Sequence, residues 1–225
     1  MGELFISLLP FIIGAAIVPL QIIINLLLLK SPNRGLLKSI AFVSGMMVTR
    51  LFQGLAFGLI LSGAAEAEGG SNKSAIRSTL LLVLGILLLI AAYKKWSREP
   101  DPDDSPPKWL IAIDNSTPIR AFEFGLGLPL IAAKLWVFTL SALTTIAAAQ
   151  LGQPTSAIAY LFFIVLTQSF VLLPILIRIV IAERSKRLLT RLSDWLTQNE
   201  RPIAIGVSTV FGSYFLYSGI TGLLR

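Results

Sequence analysis

Residues Leu36–Ser62 read LLKSIAFVSGMMVTRLFQGLAFGLILS, and this stretch decides the fold. It is 27 residues of almost unbroken apolar sequence, with charge only at Lys38 and Arg50. About 20 apolar residues suffice to cross a bilayer as a helix. Five further stretches have the same character: Glu3–Leu29, Ile76–Trp96, Arg120–Ala149, Thr155–Ala182 and Pro202–Leu224. Backbone polar groups in hydrocarbon must be satisfied within their own segment, so each stretch is expected to be helical. None shows the short alternating segments of an outer-membrane barrel. The expected fold is an all-α integral membrane protein with six transmembrane helices.

Composition agrees. Hydrophobic residues make up 55% of the 225, charged residues only 14%, and the mean hydropathy is +0.79. Soluble domains carry about 25% charged residues. Cysteine and histidine are absent. That excludes disulfides, thiol redox chemistry, Cys or His metal sites and any triad built on imidazole. There is no phosphate-binding Gly-x-x-x-x-Gly-Lys-Ser/Thr loop, and no residue pattern asks for a cofactor or a metal. The first stretch has no basic start and is too long for a cleaved signal. An enzyme is not expected.

The net charge of +7 could suggest nucleic acid, but the position of the charges argues otherwise. Lys30, Arg34 and Lys38 fall between stretches one and two; Lys94, Lys95, Arg98, Lys108 and Arg120 between three and four; Arg178, Arg184, Lys186, Arg187, Arg191 and Arg201 between five and six. The opposite side carries only Lys73, Arg77 and Arg225. Basic residues mark the cytoplasmic loops, which places both termini outside, in a bacterial-type inner (plasma) membrane or another internal membrane. The excess charge is a topology signal, so membrane lipids rather than nucleic acid are the expected partners.

The chain repeats itself. FIIGAAIVPL (Phe11–Leu20) corresponds to FEFGLGLPL (Phe122–Leu130), and Thr49-Arg50-Leu51-Phe52 lines up with Thr167-Gln168-Ser169-Phe170. Ala41-Phe42 then falls against Ala159-Tyr160. Three spans per half make the repeat inverted, an arrangement common among secondary transporters. The units are residues 1–96 and 119–225, joined by a Pro-rich cytoplasmic linker at 97–118. Asp101, Asp103 and Asp104 in that linker are read as solvating charge rather than a cation site. Residues 183–199 place Leu188, Leu189, Leu192, Trp195 and Leu196 opposite Arg184, Arg187 and Arg191, as expected for a short basic helix at the inner surface.

Pro10, Gly14 and Pro19 interrupt the first span, and Gly125, Gly127 and Pro129 the fourth. Proline deletes a helix hydrogen bond and collides with the preceding turn. Discontinuous helices at matching places in two halves point to a substrate site. Pro19, Gly125, Gly127 and Pro129 are the candidate hinges, with simple kinks for packing as the other reading. Pro174 in the fifth span reads as a kink. Gly54-x-x-x-Gly58, Ser208-x-x-x-Gly212 and Ser218-x-x-x-Gly222 read as helix–helix seams, internal or, alternatively, within a homodimer.

Two cations sit at the centres of spans: Arg50 in the second and Lys134 in the fourth. Each costs about 2.5–3.5 kcal/mol to insert, so each needs a partner, water or a task. No carboxylate lies at equal depth. Glu123 shares a helix face with Lys134 but lies eleven residues away, about 16 Å along a regular helix. Gln21, Asn25, Thr49, Gln53 and Gln168 could complete a polar, positively charged pocket for an anionic group. The other reading has Arg50 capping carbonyls freed by Pro19 or Pro129. Lys134 could shed its charge on burial; Arg50 could not. Glu123 is the one acid placed to carry a proton.

The stretch IVPLQIIINLLLLKSPNRGLLKSIAFVSGMM (Ile17–Met47) resembles the bacterial glycolipid-addressing, or sulfolipid-addressing, proteins of the lysine-exporter superfamily. The resemblance rests on Pro19-Leu20, Ser31-Pro32, Gly35 and Ala41-Phe42 with Gly45, and on Gly127 and Lys134 in the fourth span. Val18 and Gln21 depart from the family pattern, and Ala132-Ala133 replace its Asn-Pro. The resemblance implies six helices in three-plus-three inverted repeats and export of a solute or movement of a glycolipid. The expected function is therefore a membrane transporter carrying an anionic substrate, such as an acidic glycolipid headgroup, past Arg50 and Lys134. An exporter of amino acids or other small solutes and a non-transporting scaffold for lipid enzymes are the alternatives.

Overall fold

The computed structural model describes residues 2–67, 72–97, 113, 116–181 and 185–224; the side chains of 59–67, 72–74, 76–77, 133–134, 153 and 185–186 lie outside the described set. Most of the linker at 97–118, with its three aspartates, falls outside it too. The described elements are all α-helices: α1 (Gly2–Ala16), α2 (Pro19–Lys30), α3 (Gly35–Ala67), α4 (Asn72–Ser97), α5 (Pro118–Ile131), α6 (Ala133–Ala148), α7 (Gln153–Thr167), α8 (Ser169–Val180) and α9 (Ser185–Leu223). Helices α3, α4 and α9 are each long and apolar enough to cross a membrane unaided. The other six form three bent pairs, which raises the candidate spans to six if each pair crosses once.

The bends have local causes. Between α1 and α2 the axis turns by 54°. Val18 there is extended (φ −113°, ψ 98°), because the ring of a following proline disfavours helical backbone. Pro19 then opens α2, where a missing N–H costs nothing. Between α5 and α6 the turn is 70°, at extended Ala132, three residues past Pro129 and outside the Gly125–Pro129 stretch expected from sequence. The Trp136 indole donates to the Leu130 carbonyl at 2.7 Å, satisfying an acceptor that the break sets loose. Between α7 and α8 the turn is 61°, at Gln168 and not at Pro174, which lies inside α8. Thr167 Oγ1 donates to the Ile164 carbonyl at 2.9 Å, and such back-bonding bends helices.

These breaks divide the interior into two apolar cores. One draws Leu8 and Phe11 from α1, Leu84 and Leu88 from α4, Phe138 from α6, Phe163 from α7 and Phe215 from α9. The other draws Leu26 and Leu28 from α2, Phe42 and Met46 from α3, Ala121 from α5, Val171 and Ile175 from α8, and Leu189 and Leu196 from α9. The two halves of each bent pair thus serve different cores, and the bends lie between them.

Glycine sets the closest helix contacts. A Cβ on Gly125 would run into the Phe42 carbonyl oxygen, and one on Gly45 into that of Phe122, so α3 and α5 meet backbone to backbone. Gly125 accordingly sits in an unbroken helix. Helices α4 and α9 pair antiparallel on the same principle: a Cβ on Gly85 would lie 2.5 Å from Leu216 N, and one on Gly219 2.6 Å from Leu82 N. The seams expected at Gly212 and Gly222 belong to this pair, and Gly54 abuts the Tyr160 ring, whereas Gly58 has nothing within 4 Å. Arg201 closes the far end by donating to the carbonyls of Lys95 and Trp96, beside a Lys95–Glu200 ion pair.

The polar stretch after the fifth span differs from expectation. From Ser185 it runs on into the sixth span as one 39-residue helix, with no turn between a surface helix and a spanning one. Leu189, Ser193 and Leu196 are buried, and Asp194 lies 3.6 Å from Lys30 of α2. Of the apolar face expected at the inner surface, Leu189 and Leu196 pack on protein, whereas Leu188 and Trp195 are each 54% exposed.

Candidate functional site

Six of the polar residues expected at the site are buried. Gln21 stands in the first turn of α2 and Asn25 one turn further on. Thr49, Arg50 and Gln53 come from the middle of α3, and Gln168 from the α7–α8 break. All six are at most 3% exposed, and Arg50 is the largest fully buried side chain of the described residues.

They divide by what their polar atoms do. Asn25 Nδ2 donates to the Val171 carbonyl at 2.7 Å and its Oδ1 accepts from Ser39, tying α2 to α8 and α3. Thr49 Oγ1 donates to the Leu126 carbonyl at 2.9 Å, tying α3 to α5. These two are spent on packing. Among the described residues, neither amide atom of Gln21, Gln53 or Gln168 finds a hydrogen-bond partner, and none of the three guanidinium nitrogens of Arg50 finds an acceptor. Arg50 therefore caps no carbonyl there. Its own carbonyl accepts from Tyr160 at 2.6 Å, which locks the backbone and leaves the side chain unengaged.

Gln21 and Gln168 fall on the same side of the Asn25–Val171 bond, each about one helical turn toward its break. Each break presents the C-terminus of one half-helix and the N-terminus of the next, so it offers both carbonyl acceptors and N–H donors. An unpaired buried charge costs several kcal/mol, and orphaned buried amides add about 1–3 kcal/mol each. The arrangement suits a ligand that brings negative charge and acceptors.

The remaining expected residues are placed as follows. Lys134 lies in the first turn of α6, on the far side of the Ala132 break; its side chain is outside the described residues. Pro19 stands at its break, and Pro129 is buried just before the other. Glu123 is exposed, and no described hydrogen bond connects it to Arg50, so no proton path between them is on view.

Glu123 instead lines a groove of about 620 Å³ between α2 and α5, with Leu20, Ile24, Ile113, Arg120, Phe124, Gly127, Leu128 and Ile131. Sequence reasoning missed this feature. The signal was present: Arg120, Glu123, Phe124, Gly127, Leu128 and Ile131 recur at the spacing of one helix face. On α2, Leu20 and Ile24 face the groove while their neighbours Gln21 and Asn25 are fully buried. One half-helix thus separates groove from polar cluster. Tyr160 was also missed as a brace for Arg50, since sequence aligned it only with Phe42.

Around this interior the helices expose a band of large apolar side chains, including Ile6, Phe52, Leu55, Ile131, Val180 and Tyr217, as a multi-pass membrane protein does. No match was found among curated proteins or among solved structures. A family model described as Sap, sulfolipid-1-addressing protein, matches residues 8–221, nearly the full length. With that coverage, the chain belongs to the sulfolipid-1-addressing protein family.

Proposed function

We propose that the protein is a membrane transporter that moves an anionic substrate, an acidic glycolipid headgroup, past Arg50. The observation that carries this reading is the wholly buried guanidinium with no acceptor among the described residues, together with three buried glutamine amides that likewise find no partner there. A buried guanidinium left without an acceptor is stabilised by donating a charge-assisted hydrogen bond to an anionic group, and discontinuous helices are where transporters of this kind hold their substrates. Gln21, Gln53 and Gln168 would hydrogen-bond the headgroup, and Lys134 would be its second cation. Swinging α2 about Ile17–Val18, and α5 against α6 about Ala132, would open the cluster in turn to each side. Family membership favours a lipid cargo over an amino acid or other small solute.

The proposed topology is six spans as two inverted three-helix repeats, with both termini outside an inner membrane. Two kinds of packing support it: the first and fourth spans are both bent, and α4 packs on α6 as α9 packs on α2. The chain has no cysteine, so introduced thiols test it directly. Ser97→Cys should react with an impermeant reagent only from the cytoplasm, and Ala149→Cys only from outside.

The test of function is native mass spectrometry of the gently extracted chain with acidic lipids, wild type against Arg50→Gln. Retention by wild type and loss by the variant is the expected result. Equal retention overturns the anion role.

A further inference from the structure

The groove between α2 and α5 carries a charge pattern that the anion cluster does not explain. Arg120 and Glu123 lie one turn apart on α5, with side-chain roots about 5–6 Å from each other. Both line the groove, both are exposed, and among the described residues neither forms an ion pair. Among the described residues the rest of the lining is apolar. Flanking Ile131 is 85% exposed, as befits a surface against acyl chains. A volume of about 620 Å³ lies in the range that holds drug-sized ligands. Gly127 lies in the lining, and a Cβ built there would meet nothing within 4 Å, so its missing side chain leaves room in the groove that packing does not need.

We propose that this groove binds a zwitterionic aminophospholipid. Its phosphate sits on Arg120, its ammonium on Glu123, and one acyl chain runs along Leu20, Ile24, Phe124, Leu128 and Ile131. The occupant is chosen by charge. A purely anionic headgroup would satisfy Arg120 and leave Glu123 facing like charge. A purely cationic one would do the reverse. A phosphate followed at short distance by a primary ammonium meets both, and the ammonium can donate hydrogen bonds to the carboxylate where a quaternary ammonium cannot. The apolar wall selects a lipid over a free headgroup. This site needs α2 and α5 to lie in a bilayer but makes no use of Arg50.

The experiment is native mass spectrometry of the full chain in detergent, titrated with dioleoyl phosphatidylethanolamine, phosphatidylcholine and phosphatidylglycerol. The ethanolamine lipid should bind at least fivefold better than either of the others. Arg120→Gln and Glu123→Gln should each remove most of that preference, with Glu123→Gln gaining phosphatidylglycerol. Gly127→Leu should block all three without lowering the melting temperature. Arg50→Gln should leave ethanolamine-lipid binding intact, which separates this site from the proposed transport cluster. Equal binding of the three lipids by wild type, a phosphatidylglycerol preference that depends on Arg120, or unchanged binding in folded Gly127→Leu would each overturn the proposal. So would displacement by excess soluble glycerophosphoethanolamine, because the chain would then contribute nothing.

Discussion

Replacing Arg50 by methionine should stabilise the protein and abolish its function. The side chain is fully buried and its three nitrogens have no acceptor among the described residues. In the unfolded chain the guanidinium regains water, and exchanging buried ionic groups for apolar ones of similar volume stabilises by about 1–4 kcal/mol. Methionine fills similar space with a flexible apolar chain. The hydrogen bond that Arg50 receives from Tyr160 goes to its backbone carbonyl, and no described hydrogen bond uses its side chain, so the substitution sacrifices none. The expected gain is therefore about 2–3 kcal/mol, a shift of roughly 30- to 150-fold in the unfolding equilibrium. Titration with SDS in mixed micelles, followed by tryptophan fluorescence, measures it. Acidic-lipid retention by the same variant should fall to background. A residue whose removal raises stability and ends function is one held at a cost for that function. A loss of more than about 1 kcal/mol would refute the reasoning, for it would mean that the guanidinium holds the fold together.

Three further outcomes follow from the packing. Gly125→Ala should lose about 1–3 kcal/mol by driving a methyl into the Phe42 carbonyl, whereas Gly127→Ala, with open space at its Cβ, should gain about 0.5–1 kcal/mol from helix propensity alone; the same titration reads both. Asn25→Leu orphans the Val171 carbonyl and the Ser39 hydroxyl and should cost about 1–2 kcal/mol, loosening α2 as judged by faster hydrogen exchange over residues 19–30. Thr117→Ala removes the side-chain oxygen that accepts from Arg120 N at the start of α5 and should cost about 1 kcal/mol, a change visible in melting temperature.

Much of the fold could be read from residue order. Long apolar runs named the spanning segments, and the step Val18-Pro19 announced the first bend, because proline acts on its immediate neighbour. The second bend was displaced to Ala132, since Pro129 sits deep enough in α5 for the helix to continue past it. The third, at Gln168, was not anticipated, because no proline stands there and a threonine hydroxyl competes for a helix carbonyl instead. The polar residues of the candidate cluster were recognisable one by one. That Asn25 and Thr49 are used for packing while Gln21, Arg50, Gln53 and Gln168 are not could not be seen, because hydrogen-bond partners come from other helices.

Sequence alone determined that this chain is built of apolar segments long enough to span a membrane and carries an arginine in the middle of one of them. Those are properties of each segment's own transfer energy and need no neighbour. Tertiary structure alone decided that Glu123 belongs to a groove with Arg120 and not to the cluster with Arg50, and that residues 185–223 form one helix packed against α2. Such questions turn on which surfaces meet, and a helix reveals its neighbours only when the others are in place.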